Sequence, residues 1–490
     1  MNTLPELNYV QPFLALPKPL YSQVMPQGLS NPRLVIGSAS TAGLLGLDVN
    51  TLEQADSLQL ISGQGVLNTW QPIAMKYTGH QFGQYNPQLG DGRGLLLAQV
   101  QHRGSVWDMH LKGAGSTPYS RQGDGRAVLR SSIREFLGSE ALAALGIPTT
   151  RALCVVDSDT PVYREQAESG AMLMRVSASH IRFGHFEFCS FGKQPQLLQT
   201  LCDFVIEQHY PQLIEHEHKY LEFYKHTVHK TASLMAQWQS IGFAHGVMNT
   251  DNMSILGETF DFGPFAFLDD YEAGFICNHS DYQGRYAFNR QPNIARWNLS
   301  VLAQALLPLI DKEQLVEQLE GFDEVFAAHY FAIMNNKFGL LAPHDVHQPF
   351  IEQSLVMLET CKLDYCVFFR QLSDIHEPQV HTYIRNLCLD IRAFDDWYEQ
   401  YQQTLRRDGQ ADHEQARASR KQRMNLVNPK YILRNYLAQN AIAAAQQGDY
   451  SLVQTLHKVL LNPFDEQPEF SEYANLPPDW GKKLEISCSS

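Results

Sequence analysis

The sequence predicts an α+β fold in two lobes, a β-rich small lobe followed by a helical large lobe, with an extension at each end. Three observations predict it. Between about residues 70 and 190, short strand-like runs alternate with glycine-rich turns, interrupted by one strong helical pattern. From about 195 to 310, long helical patterns frame the loop His245-Gly246-Val247-Met248-Asn249-Thr250-Asp251-Asn252, and Asp261-Phe262-Gly263 begins nine positions after Asn252. Within the first region a lysine, Lys112, closes a strand, and a glutamate, Glu135, lies mid-helix after it. Taken together, this is the order of parts in a protein-kinase-like bilobal fold. The expected units are an N-terminal extension at 1–65, a small lobe at 66–192, a large lobe with the active site at 193–335, and a helical C-terminal region with its tail at 336–490.

The elements follow in order. Residues 1–65 are rich in Pro and Leu and irregular, as expected of an extension wrapped on the body. Gly90-Asp91-Gly92-Arg93 is a glycine-rich turn before the strand-like run Leu95–Val100. After a turn at 101–105, residues 106–112 alternate: Trp107, Met109 and Leu111 point one way, and Asp108, His110 and Lys112 the other. Lys112 therefore ends a half-buried strand on its more polar side. A second copy of the tetrapeptide, Gly123-Asp124-Gly125-Arg126, is expected to open a helix with Asp124 as N-cap. The stripe Val128, Leu129, Ile133, Phe136, Leu137, Ala141 and Leu145 defines that helix, and Gly146-Ile147-Pro148 stops it. Glu135 lies off the stripe, in the place of a glutamate that holds a lysine on nucleotide phosphate.

Composition narrows the function. The 490 residues carry a net charge of −14 and 44% apolar side chains, which allows several cores and speaks against a dedicated nucleic-acid binder. Eight cysteines without a Cys-x-x-Cys pair make a zinc ribbon or thioredoxin-like motif unexpected. No apolar run reaches the ~18 residues of a membrane span, and the N-terminus lacks a signal-peptide pattern, so the expectation is a soluble cytoplasmic protein. No Gly-x-Ser-x-Gly elbow supports a hydrolase.

The candidate site residues have distinct chemistry. Asp251, Asn252 and Asp261 are oxygen donors suited to a hard cation, Mg²⁺ or Mn²⁺. Five positions before Asn252, where a kinase carries its base, stands Val247, which cannot accept a proton. Glycines let backbone N–H groups approach phosphate, and arginines add charge-assisted bonds. For Arg175 and Arg182, surface ion pairing is the ordinary expectation from the residues alone. His80, in Gly79-His80-Gln81-Phe82-Gly83, stands out without an assigned chemistry.

With these motifs the chain resembles the SelO family, also called YdiU, of protein adenylyltransferases with a pseudokinase fold. The resemblance runs nearly end to end. It rests on Tyr77–Gly83, Leu89–Arg93, Leu111–Gly115, the run from Thr117 to Arg151, Ser179–Gly184, His245–Ser254, Cys277–Asp281, Asn428–Tyr431 and Pro477–Trp480. It implies AMP transfer from ATP to Ser, Thr or Tyr hydroxyls of protein substrates, with ATP reversed relative to kinases. It implies ATP contacts at Gly90, Gly92, Arg93, Lys112, Asp124, Gly125, Arg175, Arg182 and Asp261, a metal on Asn252 and Asp261, and Asp251 as proton acceptor. Rival readings are UMP transfer from UTP with Mn²⁺, ordinary phosphoryl transfer, and an inactive ATP-binding scaffold. A monomer without nucleic-acid or membrane partners is expected. Near the C-terminus, Cys488 stands where animal relatives carry selenocysteine, and a disulfide with Cys277 is expected to pin the tail across the site mouth under oxidising conditions.

Overall fold

The strands Gly94–His102 and Ser105–Lys112 form the centre of the fold, paired antiparallel around a two-residue turn. Arg103 and Gly104 of that turn both have positive φ, the conformation whose twist suits a tight hairpin. This is a computed structural model, and it describes residues 2–341 and 344–484. The hairpin sits in a mixed α+β architecture whose main sheet is antiparallel throughout. Along its main path the strands run Tyr21–Gln23, Ile73–Met75, Gly94–His102, Ser105–Lys112, Ala167–Ser177, Arg151–Asp157, Arg33–Gly37.

Both edge strands of that path come from the N-terminal 65 residues, which do more than wrap the body. Tyr21–Gln23 pairs with Ile73–Met75, and Arg33–Gly37 pairs with Arg151–Asp157. Three- and five-residue edge strands are too short to show a period of two, so the sequence reads them as irregular. The same segment covers one sheet face: Leu4, Leu45, Leu52 and Ile61 share a core with Leu97, Met109, Leu111 and Met174.

The opposite face carries the Leu129–Ala144 helix, whose Ile133, Phe136 and Leu137 are fully buried. Its core continues through the helices Phe183–Phe191, Pro195–His209, Lys219–Ile241 and Gln291–Leu306. Two helices from near the C-terminus, Asn435–Ala445 and Ser451–Leu460, return to the Leu129–Ala144 helix in this core. A second helical core gathers Phe338, Phe350, Phe369 and Trp397 beneath Ala244 and Leu268. Among the described residues no helix is long and apolar enough to cross a membrane.

Two local expectations change. The helix starts at Leu129, not at Asp124, because Ala127-Val128 is extended and pairs with Gly170-Ala171. Asp124 instead caps a turn, accepting from Arg126 N at 2.9 Å, and its carboxylate pairs with Arg164 at 2.8 Å. Lys112 is 4% exposed, so the polar side of its strand is buried rather than half-buried: it faces the helix that carries Glu135.

Candidate active site

A two-stranded ribbon, Phe243–Ala244 with Ala266–Phe267, sets the loop 245–252 beside the turn 261–263. His245 ties them together. Its Nδ1 accepts from Val247 N and its Nε2 donates to Phe260 O at 2.9 Å, while its ring stacks on Trp238. Burial pushes its pKa down, in keeping with a neutral ring that accepts at one nitrogen and donates at the other. Asp261 then takes φ +60, a left-handed conformation that Asp tolerates better than most residues.

Between these loops and the sheet lies a cavity of about 520 Å³. Gly90, Gly92, Arg93, Lys112, Asp124, Gly125, Arg175, Arg182, Asp251, Asn252 and Asp261 all line it, as does Val247. Residues up to 187 positions apart in the chain, Tyr77 and Pro264, thus meet at one site.

A chain of ion pairs runs through the wall. Lys112 Nζ lies 2.5 Å from Glu135 Oε2, and Glu135 Oε1 lies 2.5 Å from Arg175 Nε. Arg175 reaches Asp261 Oδ1 at 3.0 Å, and Asp261 Oδ2 meets Arg182. Burial pushes the Glu135 carboxyl up, but Arg175 and Lys112 outweigh it and hold the group below its ordinary range. Burial pulls the Lys112 ammonium down, and Arg93 and Arg175 add to this against Glu135.

Arg175 and Arg182 are 5% and 2% exposed, which overturns the surface reading. Arg175 sits inside the sheet opposite His110, and Arg182 is fixed by a backbone bridge to Ser254 beside the loop. Arg182 lies between the Tyr77 and Phe260 rings, 4.6 and 4.7 Å from their centroids, and donates to Asp251 O at 2.7 Å. Neither position betrays itself locally, because both depend on strand pairing.

The two Gly-Asp-Gly-Arg copies differ. Arg93 is part-buried beside Arg175, and desolvation is the first cause that lowers its pKa. Arg126 donates to Gln27 O at 2.6 Å and to Gly28 O at 3.4 Å, so its guanidinium is largely engaged by backbone. Gly125 is not at a helix N-terminus. It has φ +69 and accepts from Gly115 N at 3.0 Å, in a crossing with no room for a side chain.

Asp251 is 7% exposed in the short turn Thr250–Asn252. Its Oδ2 accepts from Gln81 Nε2 at 3.0 Å, and its Oδ1 has no partner among the described residues. Burial raises its pKa to about 6, within reach of a proton acceptor at neutral pH. Asn252 donates from Nδ2 to Val247 O at 3.0 Å, which leaves Oδ1 as its acceptor. Asp251, Asn252 and Asp261 therefore offer only oxygens and fit a hard divalent cation. Among the described residues no three His, Cys, Asp or Glu side chains converge on a metal position. A cation here would rest on carboxylate and amide oxygens together with oxygens of the nucleotide.

Sequence reasoning missed Asp91, His110, Tyr77, Arg164 and Gln81, all of which line the cavity. Asp91 is buried and accepts from Met75 N at 3.1 Å and Tyr77 OH at 3.3 Å, with His110 Nε2 at 3.2 Å. The polar side of the alternating strand could have pointed to His110, and the tetrapeptide to Asp91. Nothing local singles out Arg164. Cys277 is buried with Sγ 3.5 Å from Ala244 O, and Cys488 lies outside the described residues.

Glycine turns, a cation-lined cavity and two acidic loops suit a nucleotide-binding enzyme, and known proteins sharpen that class. The chain matches the family described as "Protein adenylyltransferase SelO" over residues 3–461. It is 52% identical, over the full length of both chains, to proteins named "Protein nucleotidyltransferase YdiU" from Pseudomonas fluorescens and Stutzerimonas stutzeri. A Pseudomonas putida protein of the same name matches equally well, again over the full length of both chains. The chain belongs to the SelO family, and it is a nucleotidyltransferase enzyme.

Proposed function

We propose that this protein transfers AMP from ATP to Ser, Thr or Tyr hydroxyls of other proteins, with ATP lying in the reverse sense to that in kinases. One observation carries the reading: Arg93, Lys112, Arg121, Arg126, Arg164, Arg175 and Arg182 line the cavity against Asp91, Asp124, Asp251 and Asp261, in a chain whose net charge is −14. That local cationic surplus suits a polyphosphate held along its whole length. Val247 lines the cavity where a kinase would place its base, so a nucleophile aimed at the γ-phosphate meets no proton acceptor there. Asp251 supplies the carboxylate at a different point of the wall.

In this reading Lys112, Arg175 and Arg182 grip the β- and γ-phosphates. The acceptor oxygen attacks the α-phosphorus, the bond from that phosphorus to the bridging oxygen breaks, and pyrophosphate leaves. Asp251 takes the hydroxyl proton. A divalent cation on Asn252 and Asp261 would supply charge neutralisation on the phosphates. The Lys112–Glu135 pair, the glycine turn and the two acidic loops support a protein-kinase-like bilobal arrangement. The unit boundaries near 65, 192 and 335 belong to the same proposal, as do action in the cytoplasm and a monomeric state.

ATP labelled at either the α- or the γ-phosphate tests the reading, with Mg²⁺ or Mn²⁺ and casein as acceptor. Label retained on protein from the α-phosphate alone is the expected result. Transfer of the γ-label would make the protein a kinase, and transfer of neither would make it a scaffold. Label from UTP in place of ATP would move the assignment to UMP transfer.

A further inference from the structure

The motif around His80 has no part in the phosphate grip, yet it touches the reaction loop at every step. Residues Gly79–Gln81 and Gln84–Asn86 form a small hairpin of their own, closed by Phe82 and Gly83, both at positive φ. Three successive residues of this hairpin hold three successive residues of the loop. His80 N donates to Thr250 Oγ1 at 2.6 Å. Gln81 Nε2 donates to Asp251 Oδ2 at 3.0 Å. Phe82 N donates to Asn249 Oδ1 at 3.2 Å and to Tyr286 OH at 2.9 Å. Gly79 comes so close that a Cβ there would lie 2.9 Å from Asp251 Oδ1.

The hairpin is itself anchored. His80 Nδ1 lies 2.7 Å from Glu187 Oε2 on the Phe183–Phe191 helix, and its ring packs edge-on against Phe191 and Trp297. Asn86 Nδ2 donates to Gln81 Oε1 at 3.3 Å, so the amide that holds Asp251 is fixed at its other end. A left-handed φ of 50° at Phe82, a bulky residue, is the kind of local strain that persists where surrounding contacts demand it.

We propose that this hairpin is the positioning arm of the reaction centre, with Gln81 as a positioning residue that orients the Asp251 carboxylate. Gln81 takes one acceptor position of Oδ2 and fixes the plane of the carboxylate, while Oδ1 is packed against Gly79 without a hydrogen-bond partner among the described residues, so that Oδ2, beside Gln81 on the cavity wall, is the atom presented to the acceptor hydroxyl. This inference rests on the reading of Asp251 as proton acceptor.

The test measures label transfer from α-labelled ATP to casein and to the chain itself, over a range of ATP concentrations. Gln81→Met keeps the side-chain length and removes the donor. It should lower kcat about 10- to 100-fold with the KM for ATP unchanged. Asn86→Ala, which removes only the outer support, should show a smaller kcat loss in the same sense, and it carries the test if Gln81→Met fails to fold by thermal melting. In an Asp251→Asn background, Gln81→Met should cause no further loss. A raised KM with unchanged kcat, or a full additional loss in the Asp251→Asn background, would overturn the positioning role. Unchanged transfer by Asp251→Asn itself would instead sink the proton-acceptor reading, and the role given to Gln81 with it. An active Gln81→Met beside an inactive Asp251→Asn would remove Gln81 alone.

Discussion

Glu135 and Glu140 lie five residues apart on one helix, each 1% exposed, and their surroundings could hardly differ more. Glu140 is saturated by mixed donors. Its Oε2 accepts from Ser38 Oγ and Arg151 Nη2, both at 2.7 Å, and its Oε1 accepts from Arg151 Nε at 2.8 Å, Thr41 Oγ1 at 3.0 Å and Ala152 N at 3.1 Å. One carboxylate there meets one guanidinium, with neutral groups filling the remaining acceptor positions. Glu135 meets cations on both oxygens, Lys112 and Arg175, and both of these line the cavity. Burial and a shifted carboxylate mark both sites alike. What separates them is the balance: the Glu140 cluster is closed on itself, whereas the Glu135 cluster keeps a positive surplus that lines the cavity. A saturated buried cluster reads as structure, and a surplus reads as a binding site.

The strongest way to break this contrast is at the far end of the Glu135 chain. Asp261→Ala removes the carboxylate that Arg175 and Arg182 share, together with a cation ligand of the proposed site. Transfer from α-labelled ATP should fall by about 10²-fold or more. Near-normal transfer at saturating Mg²⁺ or Mn²⁺ would mean that the surplus binds nucleotide without Asp261.

A finer test asks whether Glu135 works through one cation or two. If it served Lys112 alone, Lys112→Ala combined with Glu135→Gln would be no worse than Lys112→Ala. The pairing with Arg175 predicts instead a further loss of about tenfold in the double variant, read as kcat/KM for ATP. Equality of the two would restrict Glu135 to the lysine.

Glu140→Gln should separate the clusters from the other side. It leaves Arg151 without its ionic partner and should cost about 3 kcal/mol of stability, measured by urea unfolding. Transfer per folded molecule should stay within about twofold, because Glu140 does not line the cavity. A matching loss of transfer in fully folded Glu140→Gln would erase the distinction drawn between the two glutamates.

The smallest effect is in pH. Burial pushes the Glu140 carboxyl up, but the His457 ring 4.0 Å away, hydrogen bonds from Arg151 and Ser38 and the charge of Arg151 outweigh it, so its folded pKa is depressed below the ordinary 4.5. A depressed acid stabilises the fold above its unfolded pKa and loses that contribution as pH falls through the folded value. Between about pH 6 and pH 3 the wild type should therefore lose stability more steeply than Glu140→Gln. Parallel pH curves would show that another carboxylate governs acid unfolding.

Much of the site was legible from spacing. The interval from Asn252 to Asp261, the lysine closing an alternating strand, and the glutamate off a helical stripe are local patterns, and local patterns survive in a linear sequence. Asp124 was misplaced because pairing of residues 127–128 with a strand more than forty positions on overrides a good capping residue. Arg175 and Arg182 looked like surface arginines because burial is a property of the neighbours, not of the residue.

By itself, then, the sequence determined which chemistry the loops carry, that one strand ends in lysine, and the family to which the chain belongs. The tertiary structure alone decided that Glu135 holds two cations, that the first 65 residues supply both ends of the main strand path, and that Gln81 reaches Asp251. The last contact joins residues 170 positions apart. Such a contact imposes no periodicity on either segment, since hydrogen-bond geometry is satisfied in space and leaves no trace in local order.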